Sequence, residues 1–189
     1  MGRASTDRTN PFVHEGIGKL GPVPFNKVAR TLSAFLGRRL EIGEFKSVVL
    51  DGADLVTALG LDRDAYYFGA FSKLHSGIDA YVLILMPPDQ ITGLLFSLTG
   101  RASRILDDYQ GSALQEFANM ILGSLSSAMA NEFGIRIEYS IPTMAIDSLQ
   151  AISDALLARL SELGRVAYME GGIRSDPPLD IRIMFFFSA

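Results

Sequence analysis

One stretch constrains this chain more than any other. From Asp107 to Pro142 it reads DDYQGSALQEFANMILGSLSSAMANEFGIRIEYSIP. Asp107 and Asp108 can satisfy free amides at a helix start and suit the positive end of its dipole. Gly134 suits the left-handed residue that closes a helix. The span between them is about 26 residues, a rod of roughly 39 Å at 1.5 Å per residue. A strand follows, from Ile135 to about Ala145.

Projected at about 100° per residue, Leu114, Phe117, Ile121, Leu125 and Ala128 gather on one side, which must face a core. Ser112, Glu116, Asn119 and Gly123 fall close together on the opposite side. A carboxylate and a carboxamide three positions apart therefore project outward together from a stiff support. Gly123 beside them leaves bare backbone of the kind a close-docking partner needs. An ordinary solvated helix face has the same appearance, because Glu and Asn are common surface residues. Spacing alone leaves both readings open.

Composition removes several function classes. The chain has 189 residues, 48% of them hydrophobic, enough for a substantial core. A net charge of −4 argues against nucleic acid as the main partner. Cysteine is absent, so a disulfide framework, a thiol nucleophile and a thiolate metal site are excluded. His14 and His75 stand far apart without paired carboxylates at ligand spacing, which argues against a histidine metal site. No apolar run reaches the ~18 residues of a membrane span and no signal peptide is visible, so a cytoplasmic location is expected. Gly16 to Gly21 spells G-x-G-x-x-G, but Asn10-Pro11 precedes it and Pro22 and Pro24 follow. The strand and helix that a dinucleotide site needs are not there.

Residues 1–20 read as a flexible lead-in to one domain over 21–189. Within it, a helix is predicted from Pro24 to Leu36, with Phe25, Val28, Leu32, Phe35 and Leu36 inward and Gly37 as its stop. A strand follows over 38–50, then a short helix over 54–59. Two strands, 66–74 and 78–86, are joined by a turn at His75-Ser76-Gly77. Asp89 is expected to cap a helix carrying Ile91, Leu94, Leu95 and Leu98. After the long helix and its strand, Ser153 is expected to cap a helix stopped by Gly164. Strands over 165–170 and 179–187 follow, linked by a loop containing Gly171, Gly172, Pro177 and Pro178. The apolar run IRIMFFF is expected to be a buried strand.

The order repeats. FLGRRLEIGEF from Phe35 aligns with EFGIRIEYSIP from Glu132, so that Gly37 meets Gly134. The halves, about 21–100 and 101–189, each read helix–strand–helix–strand–strand, an α+β class. The shift of about 97 residues places Lys19, Pro22 and Phe45 opposite Glu116, Asn119 and Pro142. None keeps the chemistry of the second half, and Pro22 should break a helix there.

Written out, the second-half pattern is Ser112-x3-Glu116-x2-Asn119-x22-Pro142. This resembles the CheC/CheX/FliY family of chemotaxis phosphatases, and the flanking SALQEFANMILGSLSSAMANEFGI resembles the CheC form of that helix. The resemblance implies a doubled architecture, with both halves sharing one mainly antiparallel sheet and the long helices packed on it. It also implies hydrolysis of the aspartyl phosphate on a CheY-like response regulator. Asn119 would orient the attacking water and Glu116 would anchor the partner's lysine, with Ser112, Gly123 and Pro142 in the partner-facing region. Ser112 would touch the partner or bond within the helix; Pro142 would shape the strand. The resemblance implies no cofactor bound by this chain, with Mg2+ held in the partner's active site. A CheD-like protein or a flagellar switch component is the alternative partner, for a FliM-like scaffold without turnover.

Overall fold

The computed structural model describes residues 20–51, 54–101, 107–160, 165–176 and 178–188. Among these residues, five α-helices and seven strands follow in the order α1 (Val23–Leu36), β1 (Leu40–Asp51), α2 (Leu55–Leu59), β2 (Tyr66–His75), β3 (Ala80–Met86), α3 (Ile91–Thr99), α4 (Asp108–Phe133), β4 (Glu138–Tyr139), β5 (Thr143–Ser148), α5 (Leu149–Leu160), β6 (Arg165–Ser175) and β7 (Leu179–Ser188). The strands form one sheet in the order β1-β6-β7-β3-β2-β4, with β5 also pairing β2. Every pairing is antiparallel. The fold is of the expected α+β class; each half keeps the helix–strand–helix–strand–strand order, with α3 added at the end of the first half and the first strand of the second half divided into β4 and β5.

The halves are interlaced. β1 belongs to the first half and pairs with β6 of the second. β5 belongs to the second half and pairs with β2 of the first. The central pairing, β3 with β7, also joins the two. Successive side chains of a strand point to opposite faces, so each central strand feeds two cores. Val82, Ile84 and Met86 of β3 enter one core together with Phe25, Leu32, Leu94, Leu114, Phe117 and Ile121. Tyr81, Leu83 and Leu85 enter the other, under Leu59 of α2 and Leu149, Leu156 and Leu160 of α5. This double covering explains why β3 and the IRIMFFF run of β7 are apolar without alternation.

Several local expectations change. Phe35 is half exposed, whereas Phe25, Val28 and Leu32 of the same helix are fully buried. Asp89 lies in a 3-10 turn, Pro88–Gln90, and makes no cap bond. The strand expected over 135–145 is two strands, β4 and β5, with Pro142 in the break, and it continues to Ser148. Ser153 is buried inside α5; Ser148 Oγ instead accepts from the Ala151 amide, 3.3 Å away, at the helix start. Gly171 and Gly172 lie within β6, not in a loop. A Cβ on Gly171 would come within 2.5 Å of the Phe25 ring, so the glycine lets α1 lie close on the sheet. Lys19, Gly164 and the lead-in over 1–19 fall outside the described residues.

Candidate functional site

The site is built on α4, and the residues that start and stop this helix act as expected. Asp107 Oδ1 accepts from the Gln110 amide at 2.8 Å, and Gln110 Oε1 accepts from the Asp107 amide at 3.3 Å. This reciprocal capping box fixes the first turn. Gly134 closes the helix in the left-handed conformation, at φ 63°. Leu114, Phe117, Ile121 and Leu125 are buried against the sheet and α1, which holds the rod along its length.

Ser112 and Glu116 are exposed and Asn119 is half-buried, all on the outward arc. Asn119 lies three positions after Glu116, about 4.5 Å along the axis. Among the described residues, neither the Glu116 carboxylate nor the Asn119 carboxamide makes a hydrogen bond or ion pair. Ser112 Oγ donates to the Asp108 carbonyl at 2.8 Å, so its hydroxyl is engaged within the helix.

Pro142 and Gly123 take different positions from those expected of a contact surface. Pro142 is buried, in the break between β4 and β5. Its ring lacks an amide proton and suits an interruption of the ladder. Gly123 does present bare backbone, but to its own chain: a Cβ there would lie 3.4 Å from Tyr139 Oη. The same hydroxyl donates to the Asn119 carbonyl at 3.5 Å. Tyr139 thus seats the segment after the helix against the turn that carries Asn119.

That segment is fastened from its other side as well. The Ser140 amide donates to the Lys73 carbonyl at 2.9 Å. The Lys73 amide donates to Ser140 Oγ at 3.0 Å, and the buried Ser72 Oγ donates to the Ser140 carbonyl at 2.7 Å. Tyr139, Ser140 and Ser72 were not singled out by sequence reasoning. Their roles depend on pairing with β2, about 70 residues earlier in the chain.

The described residues contain no group of three or more His, Asp or Glu able to hold a metal ion. No helix among them is long and apolar enough to cross a membrane.

The model of the CheC-like family matches residues 110–145, the segment from the first turn of α4 through Pro142. Over this segment the chain is similar to the CheC-like family. It is 22% identical over 154 residues to the CheY-P phosphatase CheC of Bacillus subtilis strain 168, covering 79% of this chain and 73% of that protein. Its fold matches the crystal structure of Thermotoga maritima FliY with a TM-score of 0.66 at 17% identity, over 96% of this chain and 92% of the other. It also matches a chain of the CheX-CheY-BeF3-Mg+2 complex from Borrelia burgdorferi, with a TM-score of 0.58 at 11% identity, over 87% of this chain and 95% of the other.

The Ser-Glu-Asn-Pro pattern is complete only in the second half. Pro22 directly precedes α1, so the position opposite Asn119 lies at the start of the first-half helix rather than within it. Phe45, opposite Pro142, packs its ring 5.7 Å from Phe25.

Proposed function

We propose that this CheC-like chain hydrolyses the aspartyl phosphate of a CheY-type response regulator, with Asn119 and Glu116 inserted at the partner's phosphorylation site. One observation carries the reading: a carboxylate and a carboxamide project together, uncommitted, from a helix that is capped and packed along its length. The match of the CheC-like family to this same segment supports it.

The chemistry asks little of this chain. Water attacks phosphorus, the bond from phosphorus to the aspartyl oxygen breaks, and its electron pair leaves on the carboxylate. The water's proton passes to the released phosphate. The partner's own Mg2+ and lysine neutralise the phosphoryl charge, so this chain need bind no metal. What remains is to hold the water in line. A carboxamide both accepts from and donates to water, and fixing the nucleophile gives large proximity gains. Asn119 performs that role without a tuned base. Glu116, about one turn earlier, pairs with the partner's lysine and sets the approach of the helix. Pro142 and Tyr139 keep the adjoining segment from drifting over the amide.

The test is phosphate release from a panel of phosphorylated receiver domains, with and without this protein. Faster release by at least one receiver is expected. Binding without acceleration would replace the phosphatase reading with that of a scaffold for a receiver, a CheD-like protein or a flagellar switch component.

A further inference from the structure

We infer that Ile141 is an apolar contact that selects the receiver partner, displayed beside Asn119 on a braced strand break. The inference rests on the phosphatase-type docking of α4 proposed above and adds to it a second residue, beside Glu116, that contributes affinity. Ile141 is 77% exposed, the most exposed large apolar side chain among the described residues. Exposed apolar residues are common, and exposure alone says nothing. Its neighbours make the difference.

Both residues flanking Ile141 are held. Ser140 is joined to β2 through its amide, hydroxyl and carbonyl. Pro142 is buried and fixes its own backbone angle. The side chain between them is β-branched and stiff at its first torsion. Ile141 therefore stands out from a rigid mount, losing little conformational freedom on contact.

The mount is also next to the proposed chemistry. Tyr139 Oη lies 3.5 Å from the Asn119 carbonyl, and Ile141 follows Tyr139 by two residues, in the break between β4 and β5. A receiver that takes Asn119 into its phosphorylation site must bring its adjacent surface over Ile141. The polar pair on α4 offers a partner little apolar area, and Ile141 supplies some. The partner surface it fits is an apolar patch beside the phosphorylated aspartate.

The experiment measures, for one receiver domain, the Kd of its beryllofluoride-activated form and the steady-state release of phosphate from its acetyl-phosphate-labelled form. Ile141→Ser and Ile141→Ala should weaken Kd and raise KM about tenfold, the order expected when a buried aliphatic contact is lost, with kcat unchanged. Ile141→Leu should recover most of the affinity. Val49→Ser is the control, since Val49 is half exposed on β1 at the far edge of the sheet; it should change neither constant. Unaltered Kd and KM in Ile141→Ser would overturn the inference. So would a change in self-association in place of receiver affinity, measured by sedimentation. If the wild type binds the receiver without accelerating release and Ile141→Ser still weakens that binding, the catalytic reading fails and the contact stands. If the wild type binds no receiver, both fall.

Discussion

At Glu116 the carboxylate stands exposed with no partner among the described residues, so its removal should leave the fold undisturbed. Glu116→Ala is expected to weaken binding of an activated receiver roughly 10- to 100-fold, the scale of a lost interfacial charge pair, with an unchanged thermal midpoint. Titration by fluorescence or calorimetry checks this; wild-type affinity would remove the anchor role. Elsewhere single residues report on the fold. Tyr168 is fully buried, and its hydroxyl donates to Glu170, which is also paired with Arg182 and, at 2.9 Å, with Lys46. Burial, and next the Glu170 carboxylate, push the Tyr168 phenol well above its ordinary value. A raised pKa gives stability that is fully present below the unfolded value near 10 and is lost as pH rises beyond it. Tyr168→Phe should therefore be less stable than wild type at neutral pH, with the gap narrowing above about pH 10. Parallel melting curves across that range would contradict this. Gly171→Ala should cost about 1–3 kcal/mol by driving a methyl group into the Phe25 ring, read from denaturant unfolding.

Among the elements, α4 was the most legible in sequence because its signals agree. The acidic start, the apolar period and the terminal glycine all give one helix, and the structure returns Asp108–Phe133. Its cap gives a direct check: Asp107→Ala should lower stability by about 1 kcal/mol, measured by thermal or chemical unfolding. The outward position of Glu116 and Asn119 was legible for the same reason. What was not legible depends on contacts distant in sequence. Ile135 onward reads as one strand, but its pairing with β2 divides it at Pro142. Gly171 and Gly172 carry a turn signature, yet β7 pairs with both and β1 with Gly171, which keeps them in β6. Ser153 precedes an apolar run and resembles a cap, but Ser148 holds that place at the end of β5. The bare backbone of Gly123 was visible; its occupant, Tyr139 of the same chain, was not.

At the scale of the whole molecule, the interlaced sheet binds the halves into one unit. Residues 20–101 alone would leave β1 without β6 and β3 without β7, exposing apolar edges and both cores. This half is expected to remain unfolded or to aggregate, while the full chain unfolds in a single transition seen alike by circular dichroism and tyrosine fluorescence. A half that folds alone with dispersed amide resonances would contradict the interlacing. The same rigidity gives the site its proposed use. Both cores hold the sheet, the sheet and α1 hold α4, and α4 carries Asn119 on its outward arc. The most direct measurement is phosphate release from a phosphorylated receiver with wild type and Asn119→Ala at equal, saturating concentration. The account predicts that Asn119→Ala binds the receiver as the wild type does, keeps its melting temperature and gives release no faster than the receiver alone. Release by Asn119→Ala at the wild-type rate would contradict it.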